Sequence, residues 1–162
     1  MKDELLTIKQ GIINEIEGYE FYKMAEKQTE NKEAIEALNA LAEEEMLHVG
    51  YLKELYNKMK TSDEDDITFA FSENPPSPKI FDWNKITFPT KSLAVSIYGT
   101  AVTLEKASID FYEKAKKEAS HHEVIKVYDL LIKWEKAHLE QFQKAYELNM
   151  EQWWDEQGFA PF

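Results

Sequence analysis

Apolar residues recur every three or four positions in four long segments of the chain, the spacing of helices that bury one side. The second segment shows this spacing at Leu38, Leu41, Leu52, Leu55 and Met59. The pattern predicts helices at about residues 3–28, 31–60, 91–119 and 121–150. We therefore expect an all-α fold, a four-helix bundle in a single domain comprising residues 1–162.

The connections between these helices differ in length. Those near Thr29 and Ser120 are short, which predicts two antiparallel hairpins, helix one with two and helix three with four. Residues 61–89 are long enough to return along the bundle, so this crossover should make helices two and three parallel. We expect the crossover's aromatic residues to pack onto the bundle. The aromatic C-terminal tail, residues 151–162, should dock there or contact another subunit.

Two helix starts carry capping signals. Ser120 with Glu123 has the pattern of a capping box, and Thr90 stands just before the third helix. His121 and His122 at the start of the fourth helix are expected to be solvated surface residues.

Composition and charge exclude several functions. The net charge of −12 disfavours nucleic acid and anionic membranes as partners. The absence of cysteine excludes disulfides, iron–sulfur clusters and zinc–thiolate sites. No apolar run approaches the roughly 20 residues of a membrane span, and the charged N-terminus lacks a signal-peptide core. We expect a soluble cytoplasmic protein.

Six ionisable residues occupy core-facing positions, where packing alone does not explain them. They are Glu15, Glu45, His48, Glu105, Glu135 and His138. Burying an unpaired carboxylate costs several kcal/mol, and four close together repel one another. Two divalent cations would balance the four negative charges and satisfy the oxygen lone pairs.

These residues belong to an internal repeat. A shift of 90 positions places the first hairpin on the second without a gap, so Glu45-x-x-His48 meets Glu135-x-x-His138. A single Glu-x-x-His is usually a solvated helix face, but the doubled pattern in all four helices favours metal binding. Tyr22 and Tyr112 lie seven residues beyond Glu15 and Glu105, where a phenol can hydrogen-bond a ligand carboxylate. Trp134 and Lys106 lie off the core-facing positions and receive no predicted role.

At these residues the chain resembles the rubrerythrin-like branch of the ferritin-like di-iron carboxylate proteins. In that layout two helices each supply a Glu and two each supply Glu-x-x-His. The resemblance implies a ferritin-like bundle in which Glu45 and Glu135 bridge two iron ions. It also implies Glu15 and Glu105 as terminal ligands, with one metal for each of His48 and His138.

The chain departs from rubrerythrin in two respects. It has no rubredoxin domain, because it has no cysteine, so the resemblance implies a separate electron donor. The place of rubrerythrin's seventh carboxylate is taken by Ser108, whose repeat mate is Gly18. These small residues fit either close helix packing or a pocket for the oxidant.

The resemblance implies an oxidoreductase that reduces hydrogen peroxide or dioxygen in oxidative stress, with electrons from a small redox protein. The alternatives are a non-catalytic iron-binding or ferroxidase storage protein, a di-manganese catalase-like enzyme, and a bundle whose metal site has a structural or sensing role. Manganese suits the same ligands nearly as well as iron. We expect a homodimer.

Overall fold

The computed structural model describes residues 2–61, 81–83 and 85–158. This part of the chain contains four helices and no strand: α1 (Lys2–Glu26), α2 (Lys32–Thr61), α3 (Lys91–Glu118) and α4 (His122–Gln157). The predicted all-α fold is confirmed, and the four helices form a ferritin-like bundle. No helix in the described ranges is both long and apolar enough to cross a bilayer.

Two apolar clusters fill the bundle, one toward each end. The first joins the end of α1 and the starts of α2 and α3 to the second half of α4, through Tyr22, Leu38, Tyr98 and Phe142. The second joins the opposite ends, with residues such as Ile8, Leu55, Ala115 and Val124. These contacts place α2 and α3 parallel to each other and antiparallel to α1 and α4. Most of the crossover, residues 62–80 and 84, lies outside the described residues.

The last part of the crossover packs onto the bundle through aromatic contacts. The ring centroid of Trp83 lies 5.6 Å from that of Tyr98 and 5.2 Å from that of Phe142. The packing prediction therefore holds for this stretch, whereas Phe69 and Phe71 lie outside the described residues.

The fourth helix is longer than its sequence pattern predicts. It continues from the expected end at residue 150 through Trp153 and Trp154 to Gln157. It ends at Gly158, whose φ of 70° is the left-handed conformation that glycine adopts without strain. No glycine or proline interrupts the helix earlier. Phe159 and Phe162 of the predicted tail lie outside the described residues.

The capping predictions had opposite outcomes. Thr90 caps α3 by accepting a hydrogen bond from the backbone N–H of Leu93, as expected. The Ser120 capping box is wrong, because the backbone N–H and hydroxyl of Ser120 donate to Glu4 of α1, at 2.9 and 3.1 Å. His121 is half-buried rather than solvated, and its Nδ1 lies 3.1 Å from the same carboxylate.

This contact joins the first helix to the turn of the second hairpin, so replacing Glu4 by glutamine should destabilise the bundle. Burial raises the pKa of Glu4, but hydrogen bonds from Ser120 and His121 outweigh it and lower the pKa to about 2. The stabilisation is therefore complete above the ordinary pKa of 4.5 and lost as the pH falls toward 2.

We expect Glu4→Gln to lose about 1–2 kcal/mol at pH 7, after allowance for partial exposure. The melting temperature should fall by about 2–8 °C, and the difference from the parent should shrink in acid. Asp3→Asn is the matched control, since it removes the same charge from an exposed neighbour. Equal losses in the two variants would contradict a specific role for Glu4.

Candidate metal centre

All six ionisable residues selected from the sequence lie together inside the bundle. Each is at most 3% exposed, and they occupy the level between the two apolar clusters: Glu15 on α1, Glu45 and His48 on α2, Glu105 on α3, and Glu135 and His138 on α4. The i,i+3 spacing within α2 and within α4 places each histidine on the same helix face as its glutamate. Every helix therefore contributes to one buried polar layer.

The six side chains form two overlapping groups, each with ligand atoms within 4.8 Å of one another. The first group is Glu15, Glu45, His48 and Glu135, and the second is Glu45, Glu105, Glu135 and His138. Glu45 and Glu135 belong to both. Each group offers the carboxylate and imidazole donors that suit iron or manganese, and the two shared carboxylates would contribute to both metal positions.

The two histidines contact the carboxylates differently. Nδ1 of His48 hydrogen-bonds with Oε2 of Glu15 at 2.9 Å and lies 3.0 Å and 3.2 Å from oxygens of Glu135 and Glu45. Nδ1 of His138 lies 3.8–3.9 Å from the nearest oxygens of Glu45, Glu105 and Glu135. That spacing is too long for hydrogen bonds.

Some buried nitrogen and oxygen atoms of this cluster lack a hydrogen-bond partner, and this tests whether the site suits a metal ion. Nδ1 of His138 and Oε2 of Glu105 are buried without one. Unsatisfied buried polar atoms are costly, and native proteins rarely keep them without a reason. A cation coordinated by these atoms would satisfy them, so the residues present fit a pair of divalent ions.

Two tyrosines connect the two hairpins through hydrogen bonds to the carboxylates. Tyr22 of α1 donates a hydrogen bond to Glu105 of α3, and Tyr112 of α3 donates one to Glu15 of α1. Burial, reinforced by these neighbouring carboxylates, raises the pKa of both phenols well above its usual value. Both phenols therefore stay protonated and act as hydrogen-bond donors that orient the carboxylates.

The carboxylates have perturbed affinities for protons. Burial and the nearby Glu15 raise the pKa of Glu45, and burial with Glu135 raises that of Glu105. Burial with Glu45 and Glu15 raises the pKa of Glu135 to about 7. Burial also acts to raise the pKa of Glu15, but the adjacent His48 outweighs it and lowers the value. Protons thus relieve the crowding of negative charge, a role that metal cations can take over.

Two residues near the centre had no role in the sequence prediction. Trp134 is buried and stacks on His48, with ring centroids 4.8 Å apart, so leaving it without a role was wrong. Glu44 accepts a hydrogen bond from Nε2 of His138 at 2.6 Å. Residues 44 and 134 correspond at the shift of 90, but the repeat does not conserve the residue type there. Lys106, also left without a role, is exposed.

A cavity of about 150 Å³ lies beside the carboxylates between α1 and α3. Gly18 and Ser108 line it together with the ligand candidates Glu15, Glu45 and Glu105. A Cβ atom at Gly18 would lie 3.4 Å from Cδ of Glu45, an ordinary contact, so the glycine is not required for helix packing at that point. The geometry agrees better with an open space than with close packing.

Comparison with known proteins agrees with this geometry. The sequence profile of the rubrerythrin family matches residues 7–146, which is most of the chain and includes all six ligand candidates. The chain belongs to the rubrerythrin family.

Among solved structures, this rubrerythrin-family chain is similar to a hypothetical protein from Pyrococcus furiosus. The two share 24% sequence identity with a TM-score of 0.68, covering 94% of this chain and 92% of the other. At that identity the likeness shows the fold alone. No curated protein sequence matches the chain significantly. Family membership and the buried Glu/His groups together support a di-iron carboxylate protein.

Proposed function

We propose that this chain is a di-iron oxidoreductase that reduces hydrogen peroxide or dioxygen with electrons from a separate protein. The observation that supports this best is the cavity beside Gly18 and Ser108, which lies directly next to the carboxylate cluster. A single buried water needs only roughly 15 Å³ of such space, so about 150 Å³ accommodates peroxide or dioxygen.

A bound iron pair would supply the two electrons that, with two protons, convert hydrogen peroxide into two waters. The residues of the chain would provide the geometry for this reaction. Glu45 and Glu135 would hold both ions, and one histidine and one further glutamate would complete each position. The phenols of Tyr22 and Tyr112 keep the terminal carboxylates oriented. The apolar clusters above and below exclude bulk water from those two sides of the centre.

The electrons must come from outside this sequence, which contains no cysteine for a rubredoxin-type iron site. We propose a small redox protein as donor. Because this chain has a net charge of −12, a donor with a positively charged docking face fits best. We further propose that the protein acts as a cytoplasmic homodimer in the response to oxidative stress.

The proposal is tested by loading the protein with iron, reducing it anaerobically and mixing it with each oxidant in a stopped-flow instrument. Oxidation should follow second-order kinetics with peroxide or dioxygen, and a chemical or protein reductant should sustain several turnovers. A protein that oxidises once and then retains ferric iron under continued reduction would be a storage protein. Peroxide dismutation by the manganese form without a donor would instead indicate a catalase.

The cavity makes one variant informative. Gly18→Leu should fill the space beside Glu45, so that the oxidant can no longer bind next to the metal ions. Oxidation of the reduced protein should then be slower by about tenfold or more. Metal content should be unchanged.

Gly50→Leu is the matched control for this substitution. A Cβ atom there would have no neighbour within 4 Å, on an exposed position of helix α2. It should oxidise at the parental rate. If Gly18→Leu also reacts at the parental rate, the oxidant reaches the metals by another route.

A further inference from the structure

The two halves of the centre differ at the positions directly before the shared glutamates. The shift of 90 that superposes the ligands also pairs Glu44 with Trp134, each directly before a shared glutamate. One is a carboxylate and the other an indole, so the two histidines have different neighbours. The difference lies next to both metal positions.

On one side, His138 is fixed by a carboxylate. Its Nε2–H donates to Glu44 at 2.6 Å, which leaves Nδ1 as the nitrogen with a lone pair directed toward Glu45, Glu105 and Glu135. A carboxylate acceptor on the remote nitrogen sets the tautomer and makes imidazole a stronger ligand. The carboxylate oxygens at 3.8–3.9 Å leave space for a cation among them.

On the other side, no carboxylate accepts a hydrogen bond from the remote nitrogen of His48. Its Nε2 is buried without a hydrogen-bond partner, and its ring stacks on Trp134. Its Nδ1 lies within 3.2 Å of oxygens from Glu15, Glu45 and Glu135. A cation entering between these groups must replace three close contacts before His48 can bind it.

We propose that the two metal positions are inequivalent, and that the position built by His138 and Glu105 fills first and holds its ion more tightly because Glu44 supports His138. The position built by His48 and Glu15 fills second and exchanges its ion more readily. This inference rests on the ligand set of the proposed function, but not on any reaction with an oxidant.

Metal titration tests the order of filling. Anaerobic calorimetry with Fe(II) alone should show two binding steps with affinities at least about tenfold apart. With Mn(II), the first equivalent should give the electron paramagnetic resonance signal of an isolated ion, and the coupled pair should form only during the second. Two equivalents that bind in one step, with coupled pairs from the start, would overturn the proposal.

The role of Glu44 is tested by Glu44→Gln, which keeps the size of the side chain and removes its charge. The tighter step should weaken by about 10–100-fold while the weaker step stays unchanged. Glu43→Gln is the control, because it removes the same charge from the exposed neighbouring position. A Glu44→Gln titration identical to the parent's would overturn the proposed role.

A second pair of variants keeps the test valid if Glu44→Gln does not fold. His48→Ala should retain tight binding of one Mn(II) ion, whereas His138→Ala should lose the tight step; the reverse result would overturn the assignment. A parent protein that binds no metal would instead refute the ligand set of the proposed function. Two equal steps would leave that ligand set intact and refute only the inequivalence.

Discussion

Replacing Glu45 by glutamine should remove metal from both positions and, in the metal-free protein, raise the melting temperature. Glu45 belongs to both ligand groups, and a neutral amide is a poor substitute for a bridging carboxylate. Metal content should therefore fall from two ions per chain to well below one. A loss of a single ion would show that Glu45 does not bridge.

The stabilisation of the metal-free variant follows from the environment of Glu45. Burial and the charge of Glu15 raise its pKa, and they outweigh the contact with His48, so a neutral group is favoured there. A raised pKa means that the folded protein disfavours the ionised carboxylate, at about 1.4 kcal/mol per pKa unit, and a neutral amide of the same size removes this cost at a pH where an ordinary glutamate is ionised. At about 2–4 °C per kcal/mol for a chain of this size, the gain should be measurable by circular dichroism at pH 8.

Glu15→Gln is the matched comparison, because Glu15 differs from Glu45 in the number of ligand groups it belongs to and in the direction of its pKa shift. It belongs to one ligand group, and the neighbouring His48 lowers its pKa despite burial, so the folded protein favours its charged form. This variant should retain one ion and melt below the parent when metal-free. Effects of the same sign in the two variants would contradict the described electrostatics.

Removing the metal should make the melting temperature strongly dependent on pH. Burial with Glu45 and Glu15 raises the pKa of Glu135 from 4.5 to about 7. A raised pKa contributes stability that is complete below 4.5 and lost as the pH rises through about 7. One pKa unit corresponds to about 1.4 kcal/mol, so this group alone accounts for about 3 kcal/mol.

His48 also makes the metal-free protein less stable as the pH rises. Burial opposes its protonation, but Glu15 and Glu135 outweigh it and raise its pKa, so its contribution is also lost as the pH rises. The lowered pKa of Glu15 acts only on acidification and does not offset this loss above neutral pH. Between pH 6 and pH 9 Glu135 accounts for about one pKa unit of this loss and His48 adds to it, so the metal-free protein should lose at least about 3–6 °C.

The metal-loaded protein should show a much flatter profile. Cations then neutralise the carboxylates, and ligand binding to the folded state adds its own stabilisation. Thermal melts of chelator-treated and reloaded protein at pH 6, 7.5 and 9 make the comparison. Parallel curves for the two forms would show that metal does not occupy the carboxylate cluster.

The fold could be predicted because its signals are local and repeated. Apolar spacing determines which residues each helix buries, so the four helices were expected close to where they lie. The end of α4 was missed because Trp153 and Trp154 suggested a separate tail, although Gly158 is the residue that ends the helix. The Ser120 capping box was predicted wrongly because Glu4, which binds Ser120 instead, is distant in sequence.

The six ligand candidates could be selected because ionisable residues at core-facing positions have no packing explanation. Glu44 could not be selected this way, because its position is adjacent to the core-facing one. Only the approach of α4 to α2 brings it to His138. Trp134 occupies the corresponding position on α4 and was missed for the same reason.

The most direct test of the metal centre is anomalous diffraction at the iron and manganese absorption edges. The crystals should come from freshly purified protein reloaded with metal, with metal content measured on the same sample. We predict two peaks about 3.5–4 Å apart, each beside one histidine, with Glu45 and Glu135 between them. Reloaded crystals with no peak inside the bundle, or with metal only on the surface, would contradict the assignment of these six residues as a di-metal site.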